Sequence, residues 1–303
     1  MLSGKKILVT GPAGQIAFPL CEYLSPDNEV WGIARFSEPG SRERVDALGV
    51  TTRFCDLATG ECEEIPEDFE YLLHLAAYQG SGNDQVYANQ VNAQSSVFLM
   101  EHCRRAKAVL VMSTSSVYQP HEDPFHHFVE SDPLGGARTP WAPTYAESKI
   151  LEEEIVKEQC RELNLPTVIA RMNASYGPRG GLPAYTLDSI RRGDTVAVRW
   201  DPCPYTPICQ RDINEQLEAL LSAASVPATI VNWGGDEVVT LQEWAEYFGE
   251  LSGLPVNLDV HVVEGSHRGN ISDASNRRSL TGPCKTSWRD GMRWVFEERP
   301  LTN

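Results

Sequence analysis

The stretch Lys6–Ala17 reads KILVTGPAGQIA, and the amphipathic run FPLCEYL follows it at 18–24. A short apolar segment thus leads directly into a glycine turn, and the turn leads into a helical pattern. Gly11 permits the tight turn, and Gly14 lets the backbone approach a pyrophosphate. The N-terminus of the helix offers N–H donors and a positive dipole end to that anion. This order predicts a dinucleotide-binding unit with cofactor contacts at Gly11, Ala13, Gly14, Gln15 and Ile16.

The end of the second predicted strand, at 29–34, bears on which dinucleotide binds. An acidic residue that holds the ribose hydroxyls is expected about 20 residues after the glycines. That distance leads from Gly14 to Ala34, and Arg35 comes next. A guanidinium at this place, with no carboxylate to repel a 2′-phosphate, favours NADP, while NAD stays possible. A plain surface arginine is the alternative interpretation of Arg35.

Further apolar runs continue the alternation of strands and helices. Strands are predicted at 50–55, 71–77, 108–112 and 165–171, and one long helix at 83–107. In open α/β sheets ligands lie outside the carboxyl ends of the strands. The residues at these ends are therefore expected to bind the cofactor at Asp56, Leu57, Leu75, Ala76 and Ala77, and substrate oxygens at Thr114, Ser115 and Ser116. Asp56 has an alternative role as a turn carboxylate.

The later part of the chain departs from strict alternation. Glycines and prolines interrupt it around 177–183 and 202–207, before a late strand at 228–233 and a helix at 240–252 with Thr240 as its N-cap. We therefore predict an α/β protein with a Rossmann-type, doubly wound parallel sheet and a small C-terminal substrate lobe. Residues 1–172 form the predicted NAD(P)-binding domain. Residues 173–303 form mainly the substrate lobe, with some elements returning to the first domain.

Composition limits the partners and the location. The chain has 303 residues and a net charge of −16, from 26 Lys and Arg against 42 Asp and Glu residues. Such a chain repels phosphate backbones, so a small-molecule substrate is expected and a nucleic acid is not. No apolar run approaches the roughly 20 residues that span a membrane, and the first residues show no secretory pattern. The eight cysteines contain no Cys-x-x-Cys, which favours reduced thiols in a cytoplasmic protein.

The motif Tyr145-Ala-Glu-Ser-Lys149 begins another predicted helix. Residues four apart on a helix share a face, so the two side chains point the same way. A free tyrosine has a pKa of about 10. A nearby ammonium stabilises the phenolate and lowers that pKa, which makes such a pair a tuned acid and base. A half-buried tyrosine beside a solvated lysine is the alternative.

Taken together, the motifs TGPAGQIA at 10–17, YAESK at 145–149 and RMNASYGP at 171–178 resemble the extended short-chain dehydrogenase/reductase family, the NAD(P)-dependent epimerase/dehydratase group. The resemblance implies that Tyr145 is the general acid/base and that Lys149 holds the nicotinamide ribose. It implies a catalytic hydroxyl at Thr114 and a structural or relay role for Asn92. It further implies a cofactor contact at Arg171, substrate contacts at Asn173, Tyr176 and Arg179, and a homodimer formed by the helices that begin near 83 and 145.

Two departures from the family pattern bear on which of the family's reactions and substrates this chain fits. Ser115 and Ser116 stand where the family's dehydratases carry an acidic pair, which argues against sugar dehydration. The family's nucleotide-sugar enzymes place an arginine just before the late helix that starts near 210, and this chain has Tyr205-Thr-Pro207 there. Candidate substitutes for this arginine are Arg179, Arg191, Arg192 and Arg199.

Two clusters near the expected site have open roles. The histidines at 121, 126 and 127 lack the ligand spacing of a metal site, and no metal is predicted. Aromatic residues that could line a pocket or pack in the core are Trp141, Tyr176, Tyr185, Trp200 and Tyr205.

The sequence favours an NADP(H)-dependent oxidoreductase that transfers a hydride to or from a carbinol or carbonyl carbon of a small substrate. The alternative is a sugar or nucleotide-sugar epimerase that uses tightly held NAD(P). A non-enzymatic NADP sensor is disfavoured, because a sensor has no need of Thr114, Tyr145 and Lys149.

Overall fold

The structure is a computed structural model and describes residues 2–301. The helices are α1 Ala17–Leu24, α2 Ser41–Asp46, α3 Gln85–Asn89, α4 Ser95–His102, α5 Tyr145–Glu162, α6 Leu182–Arg192, α7 Gln210–Ser222, α8 Leu241–Ser252, α9 Ser275–Thr281 and α10 Trp288–Glu298. The strands of the chain up to Met172 are β1 Lys6–Thr10, β2 Glu29–Ala34, β3 Thr51–Asp56, β4 Glu61–Cys62, β5 Tyr71–His74, β6 Ala108–Thr114, β7 His127–Phe128 and β8 Thr167–Met172. The later strands are β9 Ser175–Tyr176, β10 Val196–Val198, β11 Pro204–Tyr205, β12 Ile208–Cys209, β13 Thr229–Trp233, β14 Val239–Thr240, β15 Leu258–Val260 and β16 Ile271–Ser272. Within residues 2–301, no helix has both the length and the apolar character needed to cross a bilayer.

An eight-stranded sheet forms the centre of the fold, with the order β13-β8-β6-β5-β1-β2-β3-β4. Neighbours from β6 to β3 pair in parallel, and β4 pairs antiparallel with β3 at the edge. The chain runs outward in one direction through β1, β2 and β3 and in the other through β5, β6 and β8. The strand order therefore reverses between β1 and β5, where ligands bind in doubly wound sheets. The predicted Rossmann-type fold is confirmed.

Two positions of this region require glycine. A Cβ added at Gly32 in β2 would lie 2.7 Å from Cγ of Pro12, so only a glycine lets β2 and the turn after β1 approach this closely. The turn itself begins at Gly11, whose φ of 64° is in the left-handed region.

The long helix predicted at 83–107 is present and runs without a gap from Gln85 to His102. It consists of α3, a π-helical turn at Gln90–Gln94, and α4. Asn92 lies in this π-helical turn, and its side chain bonds to Tyr78 and Ser148, outside its own helix.

Helix α8 begins as the sequence predicts. The Thr240 side chain accepts from the backbone N–H of Glu243, and the Glu243 carboxylate accepts from the backbone N–H of Thr240. This capping box satisfies two N–H groups that the first turn leaves unpaired.

The chain forms two compact units that alternate along the sequence. The first comprises the segment ending at Ser113 together with 140–170 and 214–231. The second comprises 114–139, 171–213 and the segment from Asn232 onward. It carries four two-stranded sheets and a core around Trp244 and Phe248. The sequence assigned 114–139 to the first domain, but in the structure this segment groups with the second unit.

The expectation that all cysteines are reduced is wrong for one pair. Cys55 in β3 and Cys62 in β4 are disulfide-bonded, and they face each other in the antiparallel register. The sequence does not predict this pair, because β4 has only two residues and is too short to be recognised as a strand beside β3. The cysteines outside this disulfide are Cys21, Cys103, Cys160, Cys203, Cys209 and Cys284.

Candidate active site

The turn after β1 has the shape of a phosphate cradle. The Gly11 N–H donates to the Ile33 carbonyl at 2.9 Å, and the Gly14 N–H donates to the Gly11 carbonyl at 2.9 Å. A Cβ added at Gly11 would lie 3.1 Å from Ala76, so the turn touches the end of β5. Ala13, Gly14 and Gln15 are exposed, and Ile16 is the N-cap of α1. These features fit a dinucleotide, whose pyrophosphate the turn and the N-terminus of α1 would hold.

The end of β2 presents the predicted specificity residue. Ala34 is half-buried, and the exposed Arg35 guanidinium donates from Nη1 to the Tyr87 hydroxyl at 2.7 Å. Arg35 therefore reaches across to α3 and is held in one place. At the end of β3, the Asp56 carboxylate accepts from the Ala58 N–H at 2.9 Å, which is the turn role. Leu57 beside it is buried.

The ends of β1 and β5 are joined by one hydroxyl. Thr10 Oγ1 accepts from the backbone N–H groups of Leu75 and Ala76, each at 3.0 Å, and lies 2.9 Å from Nδ1 of His74. Leu75 and Ala76 are half-buried and Ala77 is exposed, so this edge presents small side chains and backbone to a ligand.

Helix α5 carries the predicted acid/base pair. Tyr145 is half-buried, whereas Lys149 is fully buried and its Nζ contacts the carboxylate of Glu152 one turn later. Lys149 is thus not the solvated lysine of the alternative interpretation. No sequence pattern singles out Glu152.

Asn92 is fully buried and anchors α5 to the loop after β5. Its Oδ1 accepts from the Tyr78 N–H at 2.6 Å, and its Nδ2 donates to the Tyr78 carbonyl at 3.0 Å and to Ser148 Oγ at 2.8 Å. Ser148 in turn donates to the Tyr145 carbonyl at 2.9 Å. These contacts favour the structural role of the two that the resemblance implied.

Thr114 ends β6, in the second unit, and is mostly buried. Its hydroxyl accepts from the backbone N–H of Ser116 at 3.1 Å and so caps the 3-10 turn at Ser115–Val117. The turn fixes the backbone of Ser115, which is buried, and of Ser116, which is half-buried.

Other predicted ligand contacts of the second unit have structural partners. Arg171 is buried and donates to the Tyr118 hydroxyl at 3.1 Å and to the Glu130 carbonyl at 2.9 Å. Asn173 donates to the Asn270 carbonyl and Ser272 Oγ, each at 2.9 Å.

Tyr176 and Arg179 lie in different surroundings. Tyr176 belongs to the core, where a Cβ on Gly291 would come within 2.3 Å of its hydroxyl, and burial raises the pKa of Tyr176 well above its usual value. Arg179 is exposed.

One cavity of the second unit gathers basic and aromatic side chains. It has a volume of about 280 Å³, and Arg199, Trp200 and Arg268 line it, together with His121, Glu122 and Glu264. The Arg268 guanidinium stacks on Trp200 at 4.3 Å and donates to the Glu122 carbonyl at 2.8 Å. Of the proposed substitute arginines, Arg191 instead binds the carbonyls of Phe296 and Arg299, and Arg192 pairs with Asp194. Arg268 was missed, because no local pattern relates it to Trp200.

The histidines of the proline-rich loop pack with each other and with a carboxylate. His121 and His126 stack at 4.1 Å, and His126 Nε2 lies 2.8 Å from Asp132 Oδ2. Residues 2–301 contain no group of three or more His, Cys, Asp or Glu side chains arranged to hold a metal ion.

The model of the NAD dependent epimerase/dehydratase family matches residues 7–199, which include the glycine turn, Thr114 and the Tyr145 helix. The chain belongs to this family. It is therefore an enzyme of the NAD(P)-dependent, extended short-chain dehydrogenase/reductase type, as the sequence predicted.

Members of the epimerase/dehydratase family with related sequences include sugar-nucleotide enzymes. An uncharacterized UDP-glucose epimerase of Bacillus subtilis strain 168, YtcB, is 31% identical, with 95% of each chain covered. A dTDP-D-glucose 4,6-dehydratase of Dictyostelium discoideum is 26% identical over 58% of this chain and 45% of its own.

Solved structures share the fold. The UDP-glucuronic acid 4-epimerase of Bacillus cereus, in complex with UDP-glucuronic acid and NAD, has a TM-score of 0.80 at 22% identity, over 97% of this chain and 98% of that one. The UDP-N-acetylglucosamine 4-epimerase of Methanobrevibacter ruminantium M1 has a TM-score of 0.82 at 21% identity, with 98% of each chain covered.

Proposed function

We propose that the protein is a nucleotide-sugar epimerase that oxidises a carbinol carbon transiently and reduces it again from the other side. The observation that carries this proposal is the cavity with Arg199 and Arg268. Guanidinium groups bind diphosphate oxygens in a planar, two-pronged manner, and a stacked arginine is already oriented for this contact. The 31% identity to a UDP-glucose epimerase over 95% of the chain supports the same assignment.

The residues of the chain have the following roles in the proposal. Tyr145 takes the proton of the substrate hydroxyl and later returns it, and Lys149 holds the nicotinamide ribose and favours the tyrosinate. Thr114 supplies the family's catalytic hydroxyl. A bound nicotinamide supplies reversible hydride acceptance. Gly11 and Gly14 hold the pyrophosphate end of the cofactor.

An epimerase needs to retain its oxidised substrate until the reduction is complete. Binding energy from a remote, non-reacting part of the substrate serves this purpose. In the proposal Arg199 and Arg268 grip the diphosphate, so the sugar ring turns over while the nucleotide stays bound.

The test is incubation of the purified protein with a panel of UDP- and dTDP-sugars. We expect one pair of epimers to interconvert without net change in nicotinamide absorbance. Arg268→Ala should raise KM at least 10-fold, because a charge-assisted contact is lost. Steady consumption of NADPH by a carbonyl substrate, with no interconversion, would instead establish the second candidate.

That second candidate is a net NADP(H)-dependent oxidoreductase, which the Ala34-Arg35 pair favours. A guanidinium held by Tyr87, with no carboxylate beside it, suits a 2′-phosphate. In a net reduction by this candidate, NADPH transfers its hydride to the carbonyl substrate and leaves the enzyme as NADP⁺ in each cycle. The choice between NADP and NAD is tested by titrating both cofactors.

We also infer a homodimer formed through α3, α4 and α5, by family resemblance. Size-exclusion chromatography with light scattering measures this directly, and a mass near that of one 33.6 kDa chain contradicts it. The cytoplasmic location stays a prediction, which localisation of the tagged protein in its own cell tests.

A further inference from the structure

Four buried side chains of the first unit form a continuous chain from the edge of the sheet to the lysine of the acid/base pair. Thr10 at the end of β1 contacts His74 Nδ1 at 2.9 Å. His74 Nε2 lies 3.4 Å from Glu152 Oε1, and Glu152 Oε2 contacts Lys149 Nζ. Thr10, Lys149 and Glu152 are fully buried, and His74 is only 2% exposed. Thr10 and His74 are direct partners in the register of β1 and β5.

The protons in this chain have one arrangement that satisfies its geometry. Thr10 Oγ1 already accepts two backbone N–H groups, from Leu75 and Ala76. A hydroxyl has two lone pairs and one hydrogen, so the hydrogen of Thr10 is left to donate to His74 Nδ1. Since Nδ1 accepts, the neutral ring carries its hydrogen on Nε2, and this N–H faces the Glu152 carboxylate. Glu152 thus has the His74 Nε2–H near Oε1, in an electrostatic contact of 3.4 Å, and the Lys149 ammonium against Oε2.

We propose that Glu152 is a positioning residue that holds the Lys149 ammonium in place and keeps it charged, and that His74 orients Glu152. This rests on the role proposed above for Lys149. The chain ties that lysine to the strand ends where the cofactor turn begins, so the ribose contact and the phosphate cradle are held by one buried framework.

The charges around Lys149 support this assignment. On its own helix it faces Glu152, and Glu153 is next to Glu152 but accepts from Ser113 Oγ of β6 at 2.6 Å. On β5 it faces His74, whose pKa burial lowers to about 3, with a further contribution from the charge of Lys149. Ser148, the residue before Lys149 on α5, and its partner Asn92 in the Gln90–Gln94 segment are uncharged. Burial raises the pKa of Glu152 to about 7, against the opposing effect of Lys149, so Glu152 is ionised throughout the alkaline range in which lysines titrate.

The test follows the lysines by NMR in protein labelled with ¹³C at lysine Cε. The chain has lysines only at 5, 6, 107, 149, 157 and 285, and Lys149→Met identifies the signal of interest. In Glu152→Gln the buried ammonium loses its counter-charge. We expect the pH at which Lys149 loses its proton to fall by at least one pH unit.

The matched control is Glu153→Gln, one residue along the same helix. Glu153 is equally buried, but its carboxylate faces Ser113 instead of Lys149. We expect the Lys149 titration to stay within a few tenths of a pH unit of the wild type. Equal shifts in the two variants, or no shift in Glu152→Gln, would overturn the proposal.

Two further measurements do not depend on any catalytic activity, and the first of them needs no variant. In wild-type protein, ¹⁵N shifts of the histidine rings should show His74 as the Nε2–H tautomer from pH 5 to 8, and the Nδ1–H tautomer would contradict the chain. The second measurement is fluorescence titration with NADH and NADPH. As the pH is raised, Glu152→Gln should lose its affinity for these cofactors at a lower pH than Glu153→Gln does. If no sugar nucleotide is epimerised, the proposed function fails while these readouts stay valid.

Discussion

At the scale of single residues, the groups that define the chemistry differ in how firmly they are held. Tyr145 is half-buried, whereas Lys149, Glu152 and His74 are almost completely removed from solvent. Arg35 is exposed but fixed by Tyr87. Substitution of the half-buried Tyr145 should change rates. Substitution of the buried Lys149, Glu152 or His74 should change protonation and stability.

Tyr145→Phe should lower kcat by about 10² to 10⁴-fold and leave cofactor affinity nearly unchanged, because the hydroxyl moves the proton while the ring only packs. The measurement is the rate of sugar interconversion beside a cofactor titration. Tyr71→Phe, at the opposite end of β5 from the cofactor edge, should keep the wild-type rate. More than a tenth of the wild-type rate in Tyr145→Phe removes this residue from the role.

Replacing Ala34 with Asp and Arg35 with Ala should shift cofactor preference toward NAD by about 10 to 100-fold, the equivalent of a charge-assisted contact of roughly 1.5 to 3 kcal/mol. Fluorescence titration with NADH and NADPH measures it. Tyr87→Phe keeps the guanidinium but frees it, so its effect should be smaller. Equal wild-type affinity for the two cofactors would show that Arg35 does not read the phosphate.

His267 should make the protein sensitive to acid. Burial and the charge of Arg199 lower the pKa of His267 to about 4, below the ordinary 6.5. Between pH 6.5 and 4 the unfolded chain therefore binds a proton at His267 that the folded chain does not bind. The contribution of His267 to the free energy of unfolding is complete above pH 6.5 and falls as the pH drops toward 4. The loss is about 1.4 kcal/mol per pH unit.

Urea unfolding at pH 7, 6 and 5 measures this loss. His267→Gln should reduce the fall in unfolding free energy by that amount per pH unit. His261→Gln, at an exposed site, should follow the wild-type pH dependence. The same slope in all three proteins would mean that the folded and unfolded chains bind a proton at His267 equally well.

At the scale of elements, local chemistry and distant contacts both set boundaries. The capping box sets the start of α8 from residues three apart, whereas the π-helical turn between α3 and α4 contains Asn92, which bonds to Ser148, 56 residues away. The first kind of boundary is visible in a sequence and the second kind is not.

Thr240→Ala should destabilise the protein by about 1 kcal/mol, because the cap leaves an N–H of α8 unpaired. Thr195→Ala, at an exposed position outside any helix, is the matched control and should change the unfolding free energy by less than 0.5 kcal/mol. Equal urea midpoints for Thr240→Ala and the control would show that the cap contributes nothing.

At the scale of the whole molecule, the family fold is combined with one covalent link. Unfolded in denaturant without reductant, the chain should show six reactive thiols, and eight after reduction, because Cys55 and Cys62 are joined. Titration with a thiol reagent counts them. Eight thiols before reduction would return the pair to the reduced state that the sequence first suggested.

The parts of the fold that the sequence predicts are those whose signals are local. The residues that specify the glycine turn lie within a few positions of one another in the sequence. The same holds for each strand around the switch point and for the cap of Thr240. Glu152 and His74 are 78 residues apart (152 − 74), and Arg268 and Trp200 are 68 apart (268 − 200), so their pairing exists only after folding. Tyr176 illustrates the converse: a motif residue expected at the substrate packs in a core.

The alternation of the two units along the chain has a consequence for dissecting the protein. The polypeptide passes from one unit to the other after Ser113, Thr139, Ala170, Ile213 and Val231. A stop codon at 172 therefore yields a fragment that lacks the 214–231 segment of the first unit and carries the 114–139 segment of the second without its companions. Neither unit is one continuous stretch of chain that can be cloned by itself. Exchanging substrate specificity between relatives therefore requires grafting several separated segments at once.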